Sequence, residues 1–539
     1  MKRYPVLLLA LCLLVSLAAC GPKVPAEQPP QGTLITLSDE GITLDGSPVG
    51  ESGPVHVSRD IIYYEDRDTY DSGHAYGEGE AWERHSADEA AAHTVVNITA
   101  PGTYTLTGKL SKGQIRVDLG EEAFIDPSAV VNLVLRDADI TCTVAPAILF
   151  LNVYECDNKW EENTPTFAVD TADAGANLVL EGKSTVSGSH VARVYKDGGE
   201  EKKLWKQDAA VYSYMSMNVS GDGALDITAD NEGLDTELHL TLNSGDLTIR
   251  AGNDGINTNE DGVSVTTVNG GTLRILAGLG EEGDGIDSNG WLVINGGTVI
   301  SSAKPMADAG LNSDMGSYIN GGTVLALGST MDWAESDSAQ VTMNLQFAQQ
   351  RPSGSKIAVI DQQGQEVFAF DLAADPVLSG EERSFQGVIL SCAELALEQT
   401  YRVQINGVDQ AYTGTDVQMR PGMGGFGGGF GGGRGQRPDD GQTPGQMPEG
   451  VTPPEGFTPG QTPEGMTPPE GFTPGQTPEG MTPPEGFTPG QMPEGMTPPE
   501  GFTPGQMPEG TQQPQQGGGN TLFYMQDKVN NFSGVADAQ

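Results

Sequence analysis

One acidic phrase, returning four times, limits this chain more than any other feature. It reads Asn231-Glu-Gly-Leu-Asp-Thr-Glu237, Asn253-Asp-Gly-Ile-Asn-Thr-Asn259, Gly283-Asp-Gly-Ile-Asp-Ser-Asn289 and Asp308-Ala-Gly-Leu-Asn-Ser-Asp314. Between the copies runs a second phrase: Ser244-Gly-Asp-Leu-Thr-Ile, Asn269-Gly-Gly-Thr-Leu, Asn295-Gly-Gly-Thr-Val and Asn320-Gly-Gly-Thr-Val. Two phrases locked to one period of about 25 residues are the mark of a solenoid, whose repeats bury a core only by stacking. The intervals hold short β-branched alternations and no helix-length apolar periodicity. Neither a leucine-rich phrase nor a nine-residue calcium-roll beat is present. The expectation is an all-β chain: a right-handed parallel β-helix with a small C-terminal β cap and a disordered Gly/Pro-rich insertion.

Stacked coils repeat at roughly 4.8 Å, so equivalent cassette positions form columns. Aligned on the glycine, the columns are Glu232, Asp254, Asp284 and Ala309; Asp235, Asn257, Asp287 and Asn312; and Glu237, Asn259, Asn289 and Asp314. Two carboxylates about 5 Å apart repel by roughly 3 kcal/mol at an effective dielectric near 20. Calcium relieves that repulsion, because it takes six to eight hard oxygens from carboxylates, amides and carbonyls. Magnesium demands stricter octahedral geometry and keeps its waters. The expected metal ligands are therefore Asp235, Glu237, Asp254, Asn257, Asn259, Asp284, Asp287, Asn289, Asp308, Asn312 and Asp314. Asp, Asn and Gly also build turns, and for Asn269, Asn295 and Asn320 a stacked amide ladder is the expected role. Leu234, Ile256, Ile286 and Leu311 are expected to point inward.

Outside the repeats the organisation follows composition. Residues 1–19 read as an export signal, with Lys2 and Arg3 ahead of an apolar run and Leu17-Ala-Ala-Cys20 after it. That ending is lipobox-like and makes Cys20 the expected lipidated residue; an ordinary secretory signal is the alternative. Residues 20–34 read as a linker, 35–92 as an irregular N-terminal cap, 93–334 as the β-helix and 335–416 as a β cap. Residues 417–519 carry a glycine-rich run and a Pro-rich repeat of the type Thr458-Pro-Gly-Gln-Thr-Pro-Glu-Gly-Met-Thr-Pro-Pro-Glu-Gly-Phe472, which cannot bury a core. Its Phe and Met side chains are candidate weak contacts for a protein partner. Residues 520–539 regain strand character and are expected to return to the cap. Cys142, Cys156 and Cys392 are too few for a disulfide framework, and no zinc spacing is visible; a Cys142–Cys156 bridge and free thiols both remain open.

The formal charge is −46, from 28 basic and 74 acidic residues. Such a surface repels nucleic acid and anionic lipid, so neither is expected as a partner. It also repels an acidic polysaccharide unless cations lie between.

The segments Pro101-Gly-Thr-Tyr-Thr-Leu-Thr-Gly-Lys-Leu-Ser-Lys-Gly-Gln-Ile-Arg-Val-Asp118 and Asp208-Ala-Ala-Val-Tyr-Ser213, with the cassettes and the ending Asp527-Lys-Val-Asn-Asn-Phe-Ser-Gly-Val535, resemble a family of bacterial carbohydrate-binding β-helix proteins of the clostridial cellulose- and polygalacturonate-binding type. The resemblance covers about 90–416 and 520–536. It implies a fold like that of family 9 pectate lyases and calcium sites in the repeats, with Asp235, Asp254, Asp284, Asp287, Asp308 and Asp314 on acidic positions of the family. Two stretches depart from the family pattern: Tyr154–Ala176 and the basic insertion Lys196–Lys206. A lyase of this kind needs a base beside the metal. Lys206, Arg250, Arg274 and Lys304 are nearby in sequence, but none lies inside a cassette.

Binding is therefore favoured over catalysis. The expected function is a lipid-anchored protein outside the cell that binds acidic plant-type polysaccharide (polygalacturonate or pectin, with cellulose as a further candidate) through calcium, with Trp291 and Trp333 stacking on sugars. The alternatives are a polyuronate lyase using the same groove and a surface scaffold whose calcium is purely structural.

Overall fold

The computed structural model describes residues 32–64, 77–78, 84–157, 166–196, 203–280, 282–305, 308–329, 333–379, 381–415 and 519–538, with backbone alone for 77–78, 192–196 and 203–206. The export signal, Cys20, most of the linker, Trp160, the side chain of Trp205 and the low-complexity residues 416–518 lie outside the described residues.

Strands make up almost all of the regular structure, and most pair in parallel with their equivalents one coil away. From residue 209 onward each coil contributes three, except the last, where a single bridge at Leu311 stands in for the first. The strands Ala209–Ser213, Glu232–Thr236, Ile256–Thr258 and Ile286–Ser288 pair in one ladder. A second ladder runs through Met217–Gly221, Leu240–Leu242, Val265–Val268, Trp291–Ile294 and Gly316–Ile319. The third runs through Ala224–Ala229, Asp246–Ala251, Thr272–Leu276, Thr298–Ser302 and Thr323–Gly328. This is an all-β, solenoid-like arrangement.

The period-2 alternation of the sequence becomes a core between these ladders. Leu225 and Ile227 point in while Asp226 and Thr228 point out, and Leu247 and Ile249 repeat the pattern one coil on. Along the first ladder Val96, Ile115, Ile148, Val211, Leu234, Ile256, Ile286 and Leu311 stack in register, each fully buried. Each buried aliphatic side chain contributes on the order of 1.5–3 kcal/mol.

The cassette glycine follows from the spacing of the coils. A Cβ at Gly233 would sit 2.6 Å from the carbonyl oxygen of Gly255, and one at Gly255 would sit 2.6 Å from that of Gly285. Removing the side chain lets the backbones approach and bond, Gly233 N to Asp254 O at 3.0 Å and Gly255 N to Asp284 O at 3.0 Å.

The ends are covered. Thr323–Gly328, the last strand of its ladder, pairs antiparallel with Phe385–Ser391, which also pairs with Thr342–Arg351. Val529–Asp537 lies parallel to Thr342–Arg351, with Phe347, Phe385, Phe523 and Phe532 in a second apolar cluster. At the other end Thr33–Leu37 pairs parallel with Gly102–Leu110, and Val55–Ser58 pairs antiparallel with Thr94–Ile98. The first described strand thus begins inside the stretch read as linker. Its Pro-free alternation, with Ile35 and Leu37 buried, continues the stack. Cys142, Cys156 and Cys392 are free thiols, and burial pushes Cys142 up to about 12 and Cys392 up to about 11.

Candidate metal centre

The first ladder gathers the acidic cassettes into one column. Tyr212, Asp235, Asn257 and Asp287 are register partners on successive strands, and Ala209 pairs with Glu232. Asp208, Glu232 and Asp235 bring one carboxylate oxygen each within 4.8 Å of one another. All three are buried, at 8%, 3% and 0% exposure. At that separation each ionised pair repels by roughly 3.5 kcal/mol at an effective dielectric of 20, so the cluster needs a cation or protons.

Their neighbours bear on the choice. The Asn257 amide nitrogen donates to Glu232 Oε1 at 3.1 Å, and the Asn259 amide nitrogen donates to both oxygens of Asp235 at 2.8 and 3.1 Å. Among the described residues Glu232 Oε2 and Asn257 Oδ1 are buried without a hydrogen-bond partner. A buried lone pair without a donor costs about 1–3 kcal/mol, and a hard cation would satisfy both. The donor set is all oxygen. The residues present therefore fit a hard divalent ion, held by Asp208, Glu232 and Asp235 with Asn257 beside them.

A second group lies further along the same column. The main-chain N–H of Asp284 donates to Asp254 Oδ1 at 2.6 Å, Ala309 N–H donates to Asp284 Oδ1, and Gly283 N–H donates to Asp308 Oδ2 at 2.7 Å. The Asn312 amide nitrogen reaches Asp284 Oδ2 at 2.9 Å and Asp287 Oδ1 at 3.1 Å. Burial, then the charges of Asp287, Glu232 and Asp284, hold the Asp254 carboxyl well above the usual range. Burial and Asp287 do the same to Asp284, and burial raises Asp308.

The expected ligands thus divide. Asp235 belongs to the triad and Asn257 and Asn259 adjoin it; Asp254, Asp284, Asp287, Asp308 and Asn312 form the second group. Glu237 accepts from the Tyr212 hydroxyl, Asn289 donates to the Asn259 carbonyl at 2.8 Å, and Asp314 is exposed. Asp208 and Glu232, absent from the expected ligand set, complete the triad. Glu232 stood in an acidic column of the sequence, whereas Asp208 belongs to a degenerate cassette, Asp208-Ala-Ala-Val-Tyr-Ser213, with Ala210 at the glycine position.

The tryptophans require a correction. Trp291 and Trp333 are each 8% exposed; Trp291 packs on Val265 and Val293, and Trp333 joins the main core. Neither offers an open ring face to a sugar, because both rings pack inside apolar clusters instead of standing on the surface. Asn269, Asn295 and Asn320 form an amide chain: each donates to the Oδ1 of the preceding member, Asn243, Asn269 and Asn295, at 2.9, 3.0 and 3.0 Å.

Fold and site together define an all-β, solenoid-like protein with a buried acidic cluster able to hold a metal ion. Residues 92–344, which contain every cassette, match the profile of a family described as carbohydrate-binding domain-containing protein. A curated relative of that description from Acetivibrio thermocellus is 29% identical over 157 residues, covering 29% of this chain and 45% of the relative. The chain therefore spans just under half the length of that relative. Among solved structures, a polysaccharide lyase-like protein from C. thermocellum, studied as a gadolinium derivative, is 19% identical over 54% of this chain and 92% of its own, with a TM-score of 0.29. That score is too low for the likeness to carry an argument.

Proposed function

We propose that this chain is a non-catalytic polysaccharide-binding protein built on a right-handed parallel β-helix, with calcium held in its acidic column and acidic polysaccharide as its ligand. The observation that carries the metal is the buried triad of Asp208, Glu232 and Asp235, together with the orphaned oxygens of Glu232 and Asn257. The family match over 92–344 supports carbohydrate as the ligand class.

Burial divides the work between the two groups. An ion in the triad would sit away from solvent and staple successive coils. The more open carboxylates of Asp284, Asp287 and Asp308 are better placed for an ion that also meets a uronate. The amides of Asn259 and Asn312 carry an oxygen as well as a nitrogen, and rotation about the terminal bond offers that oxygen to a cation. The structural-calcium reading draws on the same burial, and for the triad we adopt it.

As a lyase the column would need a base. Lys304 is the lysine whose charge acts on Asp308, and its ammonium group donates to the Gly280 carbonyl. Arg274 pairs with Asp375 at 3.4 Å and Arg250 reaches the Pro376 carbonyl at 3.4 Å, so both are engaged by the capping region. We further propose that Cys20 carries lipid and tethers the protein outside the cell, to be tested by fatty-acid labelling that C20A abolishes.

The deciding experiment is retardation by polygalacturonate in affinity gels, with and without chelator, while absorbance is followed for unsaturated products. Retardation lost on chelation, without product, is expected. Product that disappears in K304A would replace the binder with a lyase. Calcium-dependent melting without retardation would leave calcium as a fold staple alone.

A further inference from the structure

The segment Tyr154–Ala176, which departs from the family pattern, builds a feature that the acidic column does not use. Within its described residues, 154–157 and 166–176, the stretch Phe167–Ala172 runs beside the second ladder and lines a groove of about 360 Å³. The floor is a row of register partners on successive strands: Asn218, Thr241, Thr267 and Val293. One side is the amide chain Asn243, Asn269, Asn295 and Asn320; the other is Phe167–Ala172.

The wall is fixed at both ends. The Thr171 hydroxyl lies 2.8 Å from Asn218 Oδ1 and 2.7 Å from Thr241 Oγ1, and Asn218 Nδ2 donates to the Thr171 carbonyl at 2.7 Å. At the far end Phe167 stacks on Tyr318 with centroids 4.6 Å apart and planes 22° from parallel. Val169 packs against the cluster of Val265, Trp291 and Val293, which gives the buried Trp291 its role as a support for the wall. Phe167 is still 43% exposed, although it is large and apolar.

The chemistry of the lining is selective. In a chain of formal charge −46, Asp170 is the one ionisable acid among the lining residues. The rest offer hydroxyls, amides and apolar surface. Among the described residues the Thr267 hydroxyl and the Asn243 amide nitrogen donate to no protein group, and Asn269, Asn295 and Asn320 each use one of their two N–H bonds on the preceding amide. These donors and acceptors recur once per coil, roughly every 4.8 Å along the stack, comparable to the length of one pyranose residue in an extended chain. A partly exposed aromatic beside a row of amides and hydroxyls matches a sugar, whose C–H face is apolar and whose edge carries hydroxyls.

We propose that this groove is a second carbohydrate site, taking a segment of an uncharged, extended polysaccharide along the stack with a sugar ring against Phe167 and its hydroxyls on the amide ladder and Thr267. The site extends the polysaccharide reading but does not draw on the metal column.

The test is affinity electrophoresis of the full chain in calcium buffer against two probes, soluble glucomannan and polygalacturonate. Wild type is expected to be retarded by glucomannan. F167A, a change on the surface, should weaken that retardation about tenfold, and T267V should weaken it less. Neither should change retardation by polygalacturonate or the calcium-induced rise in melting temperature, whereas E232Q should change the latter. No retardation of wild type by glucomannan, or equal retardation of F167A and wild type, overturns the proposal. Glucomannan binding without polygalacturonate binding would sustain it while rejecting the acidic ligand proposed above.

Discussion

Asp254 Oδ1 accepts the main-chain N–H of Asp284, one coil further on, at 2.6 Å. A carboxylate thereby serves as the bracket between coils, although it is 9% exposed and faces the charges of Asp287, Glu232 and Asp284. The bond needs an acceptor oxygen but not a charge.

Replacing Asp254 with Asn keeps that oxygen and removes the repulsion. D254N is expected to melt higher than wild type in chelator, by on the order of 2–4 °C for each kcal/mol relieved. Calcium should raise its melting temperature by less than it raises that of wild type. Calorimetry with and without calcium measures both; an apo melting temperature below that of wild type would show that the charge is not what strains the column.

Glu232 tests the triad. Calcium bound to the folded chain alone stabilises it, by about 2.7 kcal/mol when its concentration is a hundred times the dissociation constant. In E232Q one of the three clustered carboxylates becomes a neutral amide, and calorimetric titration should show affinity reduced by at least about tenfold. Unchanged affinity would place the ion elsewhere.

His93 sets the acid limit. It is fully buried, its Nδ1 pairs with the Glu89 carbonyl at 2.9 Å, and its Nε2 accepts from Thr143 N–H at 3.1 Å. The neutral ring makes both bonds, and burial holds its pKa below the ordinary value of 6.5. A group with a lowered folded-state pKa gives stability above its unfolded value and loses it as pH falls, so this contribution should decline below about 6.5. H93Q should be less stable than wild type at pH 8, by about 1–2 kcal/mol. Between pH 6.5 and 5 its stability should fall less steeply than that of wild type, as measured by denaturant midpoints.

Gly255 tests the stacking distance. A Cβ there would meet Ile275 Cγ2 as well as the Gly285 carbonyl oxygen at 2.6 Å. G255A is expected to cost about 1–3 kcal/mol by overpacking and to weaken calcium binding with it, since Asp254 and Asn257 flank the displaced backbone. G50A, where nothing lies within 4 Å and the backbone is not left-handed, should leave calcium binding unaltered.

The stacking was legible because a solenoid writes its period into the chain. Leu234, Ile256, Ile286 and Leu311 recur at one place in each cassette, and burial at that place is a matter of spacing alone. The amide chain of Asn269, Asn295 and Asn320 was readable for the same reason, and the structure extends it to Asn243. The triad was less so. Asp208 lies in a cassette that has lost its glycine, and only the strand pairing of Ala209 with Glu232 brings it into the column. The burial of Trp291 and Trp333 was not legible, because a sequence does not announce which face a tryptophan occupies, nor what later folds across it.

The sequence alone determined a repeating β architecture, its inward column of aliphatic residues and the concentration of acids along one edge, because each is a local pattern multiplied by a fixed period. The tertiary structure decided which acids share a site and where a groove opens. Both depend on contacts between residues far apart in the chain, Asp208 with Asp235 across a coil and Phe167 with Tyr318 across several, and no local pattern encodes such distances.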